Sequence, residues 1–117
     1  MGRSETIFAL VTAVGAAPVA VFRLSGPAAL ACLQQLTAPR HFPPRRLVAC
    51  ELHHPEDARR LDEALVCFMP GPRTYTGEDV VEIQCHGGSA VVQGLREAIG
   101  ATGARPAGPG EFTRRAF

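Results

Sequence analysis

Residues 75–88 read YTGEDVVEIQCHGG, and this stretch combines three local signals that rarely occur together. A glycine turn leads into two acidic residues, a short strand pattern follows, and a His-Gly-Gly corner opens a helix. Alternation along the strand places Val81, Ile83 and Cys85 on one face and Glu82 on the other. The stretch therefore predicts a carboxylate on a strand face, close to glycine backbone that can approach a ligand closely.

A second strand is predicted over residues 19–24, again with a period of two. Phe22 and Leu24 lie on one face, and Arg23 lies on the other as the one charge of an otherwise apolar strand. The guanidinium of Arg23 suits a ligand carboxylate, or it covers apolar neighbours with its stem. The carboxylate of Glu82 can accept two parallel hydrogen bonds from an amidine-like edge, as in a pterin or a guanine, or it simply faces solvent.

The remaining patterns predict an α/β fold, a two-layer sandwich in which a mixed sheet packs against two main helices. The other strands are expected over residues 7–11, 47–53, 61–69 and, at an edge, 104–107. The apolar run ALVCFM at 64–69 suits a central strand covered on both faces, and Asp62 and Glu63 are expected to mark a turn into it.

Helix ends follow from the local chemistry of serine and glycine. The first helix is expected to start with Ser25 as its cap and to bury a leucine stripe. The second is expected to start with Ser89 as its cap and to end at Gly100. A third helix begins at Glu111 and runs toward the last residue.

Composition indicates one globular domain over residues 1–117 and excludes several classes of protein. The chain has 117 residues, 46% of them hydrophobic, and a net charge of only +1, unlike a domain that holds nucleic acid alone. It has no P-loop motif, so we expect no nucleotide hydrolysis by this segment. It has no apolar run of membrane-spanning length and no leader pattern, so we expect a cytoplasmic protein with reduced thiols.

Other candidate sites are weaker than the Arg23 and Glu82 positions. Cys85 and His86 are neighbours on a strand and point to opposite faces, which disfavours a nucleophile and base pair. A zinc site from Cys50, the pair at 53–54 and His86 is disfavoured for the same geometric reason. The basic loop with Arg40, Arg45 and Arg46 either touches RNA phosphates or is simply solvated. We therefore assign no catalytic residue and no metal ligand.

Four stretches together resemble the N-terminal domain of the tRNA modification GTPase family known as MnmE or TrmE. In this sequence they are ETI at 5–7, FRLSGP at 22–27, YTGEDVVEI with CHGG at 75–88, and PGEFTRRAF at 109–117. The resemblance implies a domain with the folate-binding fold of the glycine-cleavage T protein. It also implies that Arg23 and Glu82 contact the cofactor, which is 5-formyl-tetrahydrofolate or 5,10-methylene-tetrahydrofolate.

The resemblance further implies a homodimer formed through this domain, and a role in modifying carbon 5 of the wobble uridine of tRNA with a flavin-dependent partner protein. GTP, magnesium and potassium would belong to a G domain that this sequence lacks, as it lacks the family's helical domain. We therefore expect a fragment of a longer protein.

Two departures from the family pattern leave an alternative function open. Residues 12–18 read TAVGAAP where the family has a segment of the Thr-Pro-Pro-Gly-Arg-Gly type. A lysine that follows the RAF motif in the family, and that contacts folate there, lies beyond Phe117. The alternative is therefore a dimerisation scaffold without a competent folate site.

Overall fold

The computed structural model describes residues 5–12 and 18–117, and these residues form a six-stranded sheet and three helices. In chain order the elements are β1 (Ile7–Leu10), β2 (Val19–Ser25), α1 (Ala29–Gln35), β3 (Leu47–His53), β4 (Arg60–Met69), β5 (Val80–His86), α2 (Ser89–Ala101), β6 (Arg105–Pro106) and α3 (Glu111–Ala116). Within the described ranges, none of these helices has the length and apolar character that a bilayer span requires.

The sheet is mixed, as the sequence predicts, and its strand order is β3-β4-β5-β2-β1-β6. Neighbouring strands are antiparallel except at one edge, where β6 runs parallel to β1. The α/β fold class is therefore confirmed. The order also places β2 and β5, the two strands with a predicted functional residue, side by side in the middle of the sheet.

One face of the sheet forms the core together with α1 and α2. The predicted alternation of β2 and β5 is confirmed, because Phe22, Leu24, Val81 and Ile83 are all completely buried. Helix α1 contacts β5, and α2 contacts both β4 and β5. Arg23 and Glu82 consequently belong to the opposite face, which we call the open face.

Two predicted helix caps, Ser25 and Ser89, are wrong. Ser25 is the last residue of β2 and is completely buried, and the chain turns before α1 starts. Thr6 takes its place, accepting a hydrogen bond from the N–H of Ala28 through Oγ1 at 2.8 Å. Gly88, with extended backbone, caps α2, and Ser89 is already its first helical residue.

The end of α2 lies later than predicted. The helix continues through Gly100 to Ala101, and the residue that leaves the helical region is Gly103, with φ of +102°. Glycine is favoured there because a left-handed backbone conformation costs it nothing.

Strand β4 also differs from expectation in two ways. Its apolar run is covered on one face only, since Val66 is buried whereas Leu65 is 41% exposed. Asp62 and Glu63 lie inside the strand rather than in a turn before it. Asp62 is buried, which the sequence did not indicate, and its carboxylate accepts the backbone N–H of His86 at 2.9 Å.

Candidate functional site

Arg23 and Glu82 face each other directly across the β2–β5 ladder. They form a register pair in the antiparallel ladder, so their side chains leave the sheet on the same face. The Nε and Nη2 atoms of Arg23 both donate to Oε2 of Glu82, at 2.9 and 2.7 Å. Their side chains are 30% and 25% exposed, so the pair is held at the surface of the sheet and stays accessible.

This ion pair leaves N–H donors of Arg23 and an oxygen of Glu82 available. Among the described residues, Nη1 of Arg23 and Oε1 of Glu82 have no hydrogen-bond partner. Because the two charges neutralise each other, the pair favours a neutral group with an N–H beside a carbonyl over a free carboxylate. The structure therefore joins the two positions in one unit, and the ligand contact expected of each residue stays a prediction.

A cavity of about 220 Å³ opens over this pair. Its lining combines the two charged side chains with residues from β4, β5 and the loop between them, namely Met69, Thr74, Tyr75, Thr76 and Val80. Pockets for drug-sized ligands usually measure roughly 300–1,000 Å³. The cavity is thus large enough for one ring system of a ligand, and the rest of a larger ligand would extend over the open face.

The loop between β4 and β5 forms one wall of the cavity and is held by its own hydrogen bonds. Oγ1 of Thr74 donates to the carbonyl of Glu78 at 2.6 Å. A side chain on Gly71 would collide with this loop, because a Cβ atom there would lie 2.7 Å from the carbonyl oxygen of Gly77. Gly77 itself has φ of +80°, so the glycine turn predicted from the sequence is present.

Charged residues behind this wall form a cluster, partly buried, that the sequence patterns did not indicate. Arg115 on α3 is only 5% exposed and donates to Glu78 at 3.0 Å and to Glu111 at 3.4 Å. Arg105 donates to both carboxylate oxygens of Glu111, at 3.1 and 2.6 Å. Both motifs quoted from the sequence contribute to the cluster, but only the folded chain brings them together.

The Arg105 side chain and the N–H of Gly108 hold the pKa of Glu111 well below its ordinary value of 4.5, at about 2. A carboxyl with a depressed pKa in the folded state stabilises the protein above its ordinary pKa. This contribution disappears as the pH falls from about 4.5 to about 2.

We therefore expect the melting temperature of the chain to fall over this acid range, and to fall less in Glu111→Gln, which has no carboxyl to protonate. Thermal unfolding followed by circular dichroism at a series of pH values measures this. Glu56→Gln is the matched control, because Glu56 is exposed in the turn between β3 and β4. Equal pH dependence in wild type and Glu111→Gln would contradict the assignment.

A larger cavity of about 340 Å³ lies at the other end of the open face, beside His86. Nδ1 of His86 lies 2.8 Å from Oδ1 of Asp62, which fixes the orientation of an imidazole that is 72% exposed. The remaining lining is mainly apolar, with Val19 and Leu65 among it. The smaller cavity is the stronger candidate because only it contains two facing charged side chains with free hydrogen-bonding atoms.

Cys85 makes a poor nucleophile in this position. It is buried, and burial raises the pKa of its thiol to about 11, with the nearby Asp62 adding to the effect. The thiol therefore stays protonated near neutral pH. In the described part of the chain, no three His, Cys, Asp or Glu side chains are grouped so that they could hold a metal ion.

The basic loop between α1 and β3 is exposed, and two of its arginines contact the protein itself. Arg45 donates to the carbonyls of Pro70 and Arg73 at 3.0 and 2.9 Å. Arg40 lies over the ring of Phe42 at 5.5 Å. The departure from the family pattern between Thr12 and Pro18 falls on residues 13–17, which lie outside the described residues.

Comparison with known proteins identifies relatives along nearly the whole chain. Residues 6–117 match the family model described as GTP-binding protein TrmE N-terminus. The tRNA modification GTPase MnmE of Parvibaculum lavamentivorans is 51% identical over 114 residues, which is 97% of this chain and 26% of that protein. The mitochondrial 5-taurinomethyluridine-[tRNA] synthase subunit GTPB3 of Homo sapiens is 50% identical over 118 residues, which is 99% of this chain and 24% of that protein.

The chain thus spans about a quarter of the length of these relatives.

Proposed function

Since the chain belongs to the family of TrmE N-terminal domains, we propose that its cavity at Arg23 and Glu82 binds the pterin ring of a tetrahydrofolate that carries a one-carbon unit. The observation that carries this proposal is the ion pair itself, in which Nη1 of Arg23 and Oε1 of Glu82 have no partner among the described residues. A pterin presents a ring N–H beside a carbonyl, which complements Oε1 of Glu82 and Nη1 of Arg23. The candidate cofactors are 5-formyl-tetrahydrofolate and 5,10-methylene-tetrahydrofolate.

The size of the cavity supports binding of the ring rather than of the whole cofactor. Its volume of about 220 Å³ suits a bicyclic ring, with the aminobenzoyl-glutamate tail outside it. The apolar side chains of Met69 and Val80 line the cavity and can contact the faces of the ring.

Calorimetric titration of the 117-residue chain with 5-formyl-tetrahydrofolate tests the proposal. We expect saturable binding that a pterin competes for, and that p-aminobenzoyl-glutamate, which lacks the ring, leaves unaffected. Absence of saturable binding by the folded chain would contradict the proposal. Competition by the tail fragment alone would contradict the assignment of the ring to this cavity.

At the level of the whole protein, we propose that the chain serves the modification of carbon 5 of the wobble uridine of tRNA. The names of two relatives support this role. One is a tRNA modification GTPase, and the other is a subunit of a 5-taurinomethyluridine-[tRNA] synthase. A flavin-dependent protein would be the partner, and GTP, magnesium and potassium would bind a separate G domain. A chimera that carries this chain in place of the matching segment of a relative should retain wobble-uridine modification, measured by mass spectrometry of tRNA nucleosides.

A dimerisation scaffold is the second candidate function, and a specific observation favours it. The open face carries several large apolar side chains that water reaches, namely Val19 at 47%, Leu47 at 58% and Leu65 at 41% exposure. Leu47 and Leu65 lie on adjacent strands and on the same face, as their register with Cys67 and Ala49 requires. Such a patch fits a two-fold interface with a second copy.

We expect Leu65→Glu to weaken dimerisation at least about tenfold, because a two-fold axis places the new charge at the interface twice. Sedimentation velocity over a concentration series, with and without 5-formyl-tetrahydrofolate, measures it. Ala90→Glu is the control, since Ala90 is exposed on α2, in the other layer of the fold. A monomeric wild type would exclude the scaffold function. A dimer whose affinity does not change when folate is added would favour the scaffold function over cofactor binding.

A further inference from the structure

Arg115 is a buried charge that lies behind the candidate ligand site rather than in it. Its side chain is 3% exposed, and Nη1 donates to the two carboxylate oxygens of Glu78 at 3.0 and 3.3 Å and to the carbonyl of Glu5 at 2.8 Å. The side chain of Glu78 is itself only 14% exposed. Burying an ion pair is costly unless its geometry and hydrogen bonds are well satisfied, so the arrangement of these partners is strongly constrained.

The carboxylate of Glu78 connects Arg115 to the wall of the cavity. Ser25 donates its Oγ hydrogen to Glu78 at 2.9 Å, and the same Oγ lies 2.7 Å from Oγ1 of Thr76. The N–H of Glu78 also donates to Oγ1 of Thr76, at 3.3 Å. Thr76 is buried and lines the cavity, so a continuous chain of polar contacts leads from α3 to the ligand site.

A second contact joins α3 to the same wall. The hydroxyl of Tyr75 lies 3.4 Å from Oγ1 of Thr113 on α3, and Tyr75 lines the cavity next to Thr76. The wall therefore contacts α3 at two different residues, directly from Tyr75 to Thr113 and through Glu78 from Thr76 to Arg115. A shift of α3 would move the wall relative to the Arg23–Glu82 pair, which the sheet holds in place.

We propose that α3 is the positioning element of the ligand site, and that Arg115 acts through Glu78 to set the loop wall against the Arg23–Glu82 pair. The ligand named in this inference is that of the proposed function. Thermodynamic linkage makes this effect reciprocal. If docked α3 strengthens ligand binding, then bound ligand stabilises the docked position of α3 by the same coupling free energy.

The composition of the chain offers a direct probe of the wall. The sequence contains one tyrosine and no tryptophan, so intrinsic fluorescence reports on Tyr75 alone. Anisotropy and iodide quenching of this fluorescence measure the order and the accessibility of the wall without any ligand. Calorimetry with 5-formyl-tetrahydrofolate then measures the affinity of the same samples.

Two variants interrupt the connection and one serves as the control. Arg115→Gln removes the buried cation. Glu78→Gln keeps the shape of the side chain while removing its charge, and it tests the same connection if Arg115→Gln does not fold. Arg114→Gln is the matched control, because Arg114 is the exposed neighbour on α3 and its side chain donates to the carbonyl of Pro109 at 2.9 Å rather than to the cavity wall.

We expect Glu78→Gln to increase iodide quenching of Tyr75 and to weaken folate binding about fivefold or more, whereas Arg114→Gln changes neither. In the wild type, we expect bound folate to slow amide hydrogen exchange over residues 111–116. A role in stability alone would lower the melting temperature of the variant without changing the affinity or this ligand-dependent protection.

Three results separate this inference from the proposed function. Unchanged affinity in folded Glu78→Gln overturns the inference, whether or not the fluorescence of Tyr75 changes. Absence of any effect of folate on hydrogen exchange in α3, in a chain that binds folate, overturns it as well. Changed Tyr75 accessibility in a chain whose wild type binds no folate supports the positioning of the wall and contradicts the proposed ligand.

Discussion

Replacing Glu82 by alanine is expected to weaken binding of 5-formyl-tetrahydrofolate more than tenfold. A hydrogen bond to a charged group contributes about 1.5–3 kcal/mol, and about 1.4 kcal/mol corresponds to a factor of ten. The substitution also releases the Nε and Nη2 atoms of Arg23 from their acceptor, so the donor that would face the ligand loses its fixed orientation. Calorimetric titration of the variant and of the wild type measures the effect.

Two further variants make this result specific. Gln84→Ala is the control, because Gln84 lies two residues along β5 on the same face and does not line the cavity. It should leave the affinity unchanged. Arg23→Lys keeps the charge but loses the planar fork, so we expect it to weaken binding as well. Unchanged folate affinity in Glu82→Ala would contradict the proposal that Arg23 and Glu82 bind the cofactor.

Replacing Phe22 by alanine is expected to destabilise the fold by about 3–5 kcal/mol, a large share of the roughly 5–15 kcal/mol typical of a domain. Phe22 is completely buried in the central strand β2, where it is paired with Leu10 on one side and Ile83 on the other. Removing its ring leaves a cavity that the packed neighbours fill only in part. The free energy of unfolding comes from urea denaturation followed by circular dichroism.

The control for this prediction lies on the same strand but on the opposite face. Val19 is 47% exposed, and Val19→Ala should change the free energy of unfolding by no more than about 0.5 kcal/mol. Both variants are measured at a protein concentration at which sedimentation velocity shows monomers, because Val19 belongs to the apolar patch of the open face. A loss below about 1 kcal/mol for Phe22→Ala would mean that this face of β2 does not form the core.

The two residues proposed to hold the ligand stand out in the sequence because each interrupts a local pattern. Arg23 is a charge in an apolar strand, and Glu82 is a carboxylate opposite three buried residues of β5. The family resemblance then implied a cofactor contact at the same two positions. Their ion pair was not predictable in this way, because it depends on the register between strands whose paired residues lie 59 positions apart.

The residues behind the site escaped prediction although both quoted motifs contained them. Glu78 and Arg115 belong to the stretches at 75–88 and 109–117, but nothing in either stretch indicates that the two side chains meet. The sequence predicted Ser25 as a helix cap, because serine before a proline turn is a common start of a helix. Its hydroxyl instead bonds to Thr76 and Glu78, which only the folded chain places beside it.

The sequence by itself determined the faces of the strands, the mixed α/β class and the two charged positions of the candidate site, because periodicity and turn chemistry act over a few neighbouring residues. Tertiary structure alone decided the strand register, the burial of Asp62 and the contact of α3 with the cavity wall. These features join residues far apart in the chain. They depend on the packing of apolar side chains and on the pairing of buried charges, and both arise only after folding.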